Sequence, residues 1–179
     1  MKFLIFSMLL GASLIAGDLQ VKSGSVSALT GVLGDSKVDP KFDSINAKLS
    51  MDGDDLKSIR GTISVEMAKF KSENADRDEN MHETLESEKF AMSNYTINGV
   101  EATESPDTYV LKGELELHGV IRPLDFNAKI TQDDSTVSID AKTQINVEDY
   151  KIDMPCLLGF TMCVDENVNI DGVVVLNKN

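Results

Sequence analysis

Every second residue is apolar in Ile45-Asn46-Ala47-Lys48-Leu49-Ser50-Met51 and again in Ile63-Ser64-Val65-Glu66-Met67. The same alternation runs through Tyr109-Val110-Leu111-Lys112-Gly113-Glu114-Leu115-Glu116-Leu117, where Gly113 is a gap in the apolar series. It resumes after a turn in Leu124-Asp125-Phe126-Asn127-Ala128-Lys129-Ile130, then in Val137-Ser138-Ile139-Asp140-Ala141 and on through Ile145 and Val147. A last strand is expected over residues 168–176, with Gly172 marking a bend or bulge. Period two is the spacing of a strand with one dry and one wet face, and it points to antiparallel sheet, since buried parallel strands read as continuous apolar runs. Asp52-Gly53-Asp54-Asp55, Asn98-Gly99, Ser105-Pro106-Asp107 and Gln132-Asp133-Asp134-Ser135 carry turn chemistry and are expected to separate strands. Strands so joined build a sandwich or a closed barrel.

One segment breaks the pattern. Residues 74–90 are rich in helix formers, and Met81 and Leu85 stand four apart on one helical face. A short helix over residues 76–86 is expected to cross between two strands, either as a lid on one end of the barrel or as plain cover for core edges. The stretch 22–40 is small, polar and glycine-containing, and its strands are the least legible.

The start of the chain has the form of an export signal. Lys2 supplies a positive charge, residues 3–15 are apolar apart from Ser7 and Ser13, and Ala16-Gly17-Asp18 ends the run. This is shorter than the roughly 20 apolar residues a membrane span needs. The expected organisation is a signal peptide over residues 1–17 and one domain over 18–179, with a periplasmic address and no stable membrane insertion. The formal charge of −13 becomes −14 when Lys2 leaves with the signal. Such a surface repels phosphate backbones, so nucleic acid is not an expected partner. Homodimer formation is left open. The two cysteines, Cys156 and Cys163, are disulfide candidates in an oxidising compartment. Free thiols, or a soft-metal site with Met154, Met162 and His82, are the alternatives, although the spacing matches no metal motif.

Little in the sequence serves catalysis. His82 and His118 are far apart, no nucleophile has a paired base, and there is no phosphate loop. His118 is expected to hydrogen-bond its turn, and His82 to face solvent or cap the helix. The carboxylates fall on wet faces and in turns. The chain is expected not to be an enzyme and to need no cofactor.

Two segments together resemble the YceI-like lipid/polyisoprenoid-binding family. The first is Ile59-Arg60-Gly61-Thr62-Ile63-Ser64-Val65, followed by Arg77-Asp78-Glu79-Asn80-Met81 and Ser87-Glu88-Lys89-Phe90. The second is the hairpin Leu111-Lys112-Gly113-Glu114-Leu115-Glu116-Leu117-His118-Gly119-Val120-Ile121-Arg122-Pro123-Leu124. The resemblance implies an all-β, lipocalin-like antiparallel barrel of about eight strands with one short helix and an apolar tunnel for an isoprenoid or other long-chain lipid. The sequence departs from the family in three places. Asn80 stands where the family's helix has His, residues 19–30 lack its N-terminal His-Ser start and aromatic strand, and the loop with the cysteine pair is not a family feature.

On this reading the inward candidates are Ile63, Val65, Met67, Leu115, Leu117, Phe126, Ala128 and Ile130, with Phe90, Met92 and Tyr95 lining a mouth. The chain has no Trp and few aromatics, which suits a pliant alkyl or isoprenoid chain better than a flat ring. The bland alternative is that these residues fill a dry core, and the protein is a docking module. A redox accessory to a membrane electron-transfer system, using the cysteines or a lipid quinone, is a third. Arg77, near the helix start, either faces a lipid headgroup or ties the helix to the barrel rim together with Asp78.

Overall fold

The computed structural model describes residues 16–32, 36–157 and 162–179. The expected signal segment falls almost wholly outside the described residues. In chain order the elements are β1 (Ala16–Val32), β2 (Ser36–Val38), β3 (Lys41–Phe42), β4 (Asn46–Asp52), β5 (Asp55–Glu66), α1 (Ala75–Thr84), β6 (Met92–Ala102), β7 (Thr108–Leu117), β8 (Val120–Gln132), β9 (Thr136–Asn146), β10 (Cys156–Leu157), β11 (Met162–Cys163) and β12 (Asn167–Asn177). Short 3₁₀ turns follow β5 and β9.

Eight of these strands close a barrel in the order β1-β4-β5-β6-β7-β8-β9-β12, and β12 returns to β1. All of these pairings are antiparallel. Closure removes the free edges that an open sheet would present. β1 performs it with both sides: its first residues, Ala16 to Leu19, pair with β4, while Gln20 to Leu29 pair with β12. If processing occurs after Gly17, the Asp18–Ser50 and Leu19–Leu49 pairs remain on the β4 side. β2 and β3 fold back on the far half of β1.

β1 is the longest strand, at 17 residues. The pattern concealed it for a physical reason. The register shifts between Val21 and Ser23, so the parity of the inward face changes partway along: Leu19 is buried on one side of the shift, while Val26, Ala28 and Thr30 face the interior beyond it.

A second shift corrects the reading of Asn98-Gly99 as a turn. β6 runs straight through them, with a bulge between Ile97 and Gly99. Tyr95 and Ile97 are inward before it, and Val100 after it. The β7–β8 hairpin is tighter than expected, because β8 begins at Val120 and carries Pro123 within the strand, paired with Glu114. Its two turn residues, His118 (φ 51°) and Gly119 (φ 71°), are both left-handed, as a two-residue hairpin requires. Gly172 sits in unbroken register with Ala141 and Val26, so it marks neither bend nor bulge.

The barrel is packed in one half and hollow in the other. In the packed half Ile59, Ile97, Ile130, Val137 and Leu176 are fully buried, joined by Leu19, Leu49, Met51 and Ala128. In the hollow half the inward residues of β5, Ile63 and Val65, are only half-buried, because they border a cavity.

Candidate ligand cavity and its mouth

The cavity measures about 850 Å³. Its walls carry apolar side chains from every barrel strand except β4, with Ile45 beside that strand's start. Ile63 and Val65 come from β5, Leu115 and Leu117 from β7, Ala141 and Ile145 from β9, and Ile170 and Val174 from β12. A cavity of this size and lining is typical of small-molecule sites.

Tyr95 and Phe126 stand where the cavity meets the packed half. The Tyr95 ring crosses over Gly113, and its hydroxyl lies 3.0 Å from Leu111 O and 3.0 Å from Leu124 O, both carbonyl acceptors. Phe126 meets the ring edge-on, with centroids 4.7 Å apart and planes at 61°. Burial pushes the Tyr95 phenol well above its ordinary value, with the Asp125 carboxylate adding to the shift, so the group remains a neutral O–H donor. Gly113 is what makes room: a Cβ there would stand 2.3 Å from Thr96 O and 2.7 Å from the Tyr95 ring. The gap in the β7 alternation therefore marks the place where a neighbouring side chain crosses.

The polar rim is at the opposite end. α1 contributes Asp76, Arg77, Asn80, Met81, Glu83 and Thr84 to it, with Asn74 before the helix and Leu85 after. The helix begins at Ala75 because Asn74 caps it, its Oδ1 accepting from Arg77 N at 2.9 Å. It ends at Thr84, two residues short of the expected end, with Glu86 turning left-handed at φ 43°. No residue of α1 is fully buried, but Met81 and Leu85 on its lower face pack against the core.

Three contacts hold α1 in place. His82 Nε2 lies 2.9 Å from Phe70 O, so this residue ties the helix down and neither faces solvent nor caps. Asp78 accepts from Ser72 N at 2.7 Å, and its hydrogen bonds from Ser72 hold its carboxyl below the usual value. Beyond the helix, His118 places Nε2 2.8 Å from Glu86 Oε2 and Nδ1 3.1 Å from Tyr150 O. Both partners are acceptors, so both bonds are made together only by the imidazolium. Hydrogen bonds from His118 and then Lys89 hold the Glu86 carboxyl below its ordinary value. His118 thus reaches well beyond its own turn.

Cys156 and Cys163 face each other across β10–β11 and are joined in a disulfide. Met154, Pro155 and Val164, which flank that hairpin, reach the cavity rim.

Seven of the eleven apolar candidates border the cavity: Ile63, Val65, Met67, Tyr95, Leu115, Leu117 and Phe126. Tyr95 does so from the deep end, away from the mouth. Ala128 and Ile130 point inward but lie in the packed half. Phe90 lies against His118, with ring centroids 4.1 Å apart, and covers Gly119 from outside the cavity. Met92 is exposed. The wall contributed by β1, Val26 and Ala28, was missed because the bulge hid its parity. Arg77 is at the rim, exposed, and its guanidinium makes no ion pair among the described residues; Asp78 alone serves as the structural tie. Among the described residues no group of three His, Cys, Asp or Glu side chains could hold a metal, and no helix is long and apolar enough to cross a membrane.

The fold has solved counterparts at low sequence identity. Burkholderia cenocepacia BcnA superposes with a TM-score of 0.75 at 14% identity, over 85% of this chain and 95% of that one. A polyisoprenoid-binding domain from Saccharophagus degradans gives 0.69 at 12% identity, over 90% and 98%. The Campylobacter jejuni YceI protein gives 0.67 at 18% identity, over 82% and 88%. In sequence, a UPF0312 protein of Shewanella baltica (strain OS195) is 30% identical over 140 residues, 72% of this chain and 73% of its relative. The model of the YceI-like domain matches residues 18–176, and the chain belongs to that family.

Proposed function

We propose that this protein is a non-enzymatic carrier, working in the periplasm, that holds the tail of a long apolar lipid in the hollow half of its barrel. The carrying observation is the cavity of about 850 Å³, walled mostly by apolar side chains, with Thr30 and Ser93 among them, and with its charged residues at the α1 rim. Burial of a chain there gains roughly 0.8 kcal/mol for each methylene removed from water. A polyisoprenoid or fatty-acyl chain suits a bore lined by aliphatic side chains. The description of the Saccharophagus degradans neighbour as a polyisoprenoid-binding domain supports the first of these. The ligand's head lies at the rim, where Arg77 donates to a head oxygen. Asp76 and Glu83 stand on the same rim, which disfavours a head bearing several negative charges. No cofactor enters this scheme.

Native mass spectrometry of protein purified without detergent, with solvent extraction of what is released, tests it. A stoichiometric long-chain lipid is expected. A clean apoprotein mass, unshifted after incubation with prenols and fatty acids, overturns the carrier reading in favour of a docking module.

A further inference from the structure

The cavity stops halfway down the barrel. In lipocalin-like geometry an eight-stranded barrel can be hollow or filled along its whole axis, so an abrupt boundary calls for a cause. On one side are the half-buried walls of Ile63 and Val65; on the other are Ile59, Ile97, Ile130, Val137 and Leu176, all sealed from solvent. Between them the two largest inward rings, Tyr95 and Phe126, meet edge-on at 4.7 Å.

We infer that the Tyr95–Phe126 pair is a fixed floor that sets the longest hydrocarbon chain the protein accepts. The inference rests on the carrier reading and adds its specificity. Three features make the floor rigid. The Tyr95 hydroxyl is anchored at 3.0 Å from two main-chain carbonyls, Leu111 O and Leu124 O, in adjacent strands of the wall. The ring is trapped over Gly113, where even a Cβ would collide with Thr96 O. Beneath it lie the buried side chains of the packed half, Ile59, Ile97 and Ile130 among them. A ligand tail that reaches the floor cannot go deeper, and each further methylene leaves that much chain in water and carries the head away from its contact at the rim. Each methylene up to the limit raises affinity about fourfold, and each one beyond it raises affinity no further.

The consequence is a cut-off in chain length that belongs to two residues. Tyr95→Leu and Phe126→Leu lower the floor while keeping apolar bulk, so the cut-off moves to longer chains. Ala141→Leu, which adds bulk to the β9 wall of the cavity, moves it to shorter ones. Ile121→Ser, on the exposed face of β8 and outside the cavity, leaves it in place.

The test is occupancy of the full mature protein by native mass spectrometry against two homologous series: saturated fatty acids from decanoic to tetracosanoic acid, and prenols from geraniol to solanesol. Folding of each variant is checked first by near-ultraviolet circular dichroism, and the paired leucine variants guard against the loss of either one. The expected result is a length limit in the wild type, displaced upward by Tyr95→Leu or Phe126→Leu and downward by Ala141→Leu. Binding with no limit, or a limit that folded floor variants leave unmoved, overturns the floor while the carrier reading stands. No binding of either series by the wild type overturns both.

Discussion

Replacing Gly113 by alanine probes the closest contact in the barrel. The added Cβ would sit 2.3 Å from Thr96 O and 2.7 Å from two atoms of Tyr95, Cζ and the hydroxyl. The second clash is with a side chain, although one anchored by its hydroxyl. The first is with backbone in β6, paired to β7 through Thr96–Glu114 and Ile97–Gly113, so relief requires the two strands to part. Overpacking of this kind costs about 1–3 kcal/mol. Alanine returns about 0.4–1 kcal/mol by restricting the unfolded chain, which leaves a net loss of about 1–2 kcal/mol. With a urea slope of about 2 kcal/mol/M the midpoint falls by about 0.5–1 M. Gly31→Ala is the matched control, since nothing lies within 4 Å of its Cβ position; it is expected to be neutral or slightly stabilising. Equilibrium urea unfolding, followed by circular dichroism with the disulfide intact, reads both. Placing Gly113→Ala in a Tyr95→Leu background separates the two clashes. The loss is expected to persist there, because the Thr96 carbonyl remains. A Gly113→Ala midpoint at or above that of the wild type would refute the close approach, and full rescue by Tyr95→Leu would refute the role given to the backbone.

Cys156→Ser with Cys163→Ser opens a loop of seven residues' separation, and a loss of about 2.5 kcal/mol is expected in thermal unfolding; lipid occupancy at temperatures where the variant is folded should be unchanged, and its loss would show that the bond shapes the rim through Met154, Pro155 and Val164. Asp133 accepts from Ser135 N, Thr136 N and both hydroxyls at 2.7–3.0 Å, which holds its carboxyl far below the usual range. A lowered folded value means a contribution present above the ordinary carboxylate pKa and lost as pH falls toward the folded one, so Asp133→Ala should lower the melting temperature at neutral pH and shrink its drop in acid. His118→Ala cuts the link from Glu86 to Tyr150 O; faster amide exchange is expected in residues 82–90, with β7 and β9 still protected. Ile130→Ala in the packed half should cost about 2–5 kcal/mol and Ile63→Ala on the cavity wall clearly less, since it already borders empty space; equal urea midpoints would contradict the division of the barrel.

Alternation was legible wherever a strand keeps one parity from end to end. β4, β5, β7, β8 and β9 do so over most of their length, and inward residues of β5, β7 and β8 were named from that spacing; β12 keeps its parity too, but its apolar run from Val173 to Leu176 hides which face is inward. β1 and β6 could not be read that way, because each carries a register shift, between Val21 and Ser23 and between Ile97 and Gly99. One extra residue exchanges the faces and turns a single strand into what looks like two fragments or a turn. The helix was legible from its run of helix formers and the Met81–Leu85 pair, whereas the Asn74 cap that starts it at Ala75 went unread. Its ties were not, since His82 to Phe70 O and His118 to Glu86 depend on where the chain returns in space.

What spacing could not reveal is which inward residues face a void. Ile63 and Ile130 are the same residue type at the same phase of an alternating strand, yet one borders the cavity and the other is sealed in packed core. The difference arises from a third strand, where Tyr95 is aimed across the bore. The trace of that crossing in the local sequence is negative: Gly113, the missing member of the β7 alternation. A glycine inside an otherwise regular strand signals close approach by another part of the chain, and here it admits the ring on which the packed half ends. Stability and binding are thereby separated along one barrel axis. The sealed half can supply the packing that holds the sheet closed, and the half above the ring is left free of the requirement to be filled by the protein's own side chains.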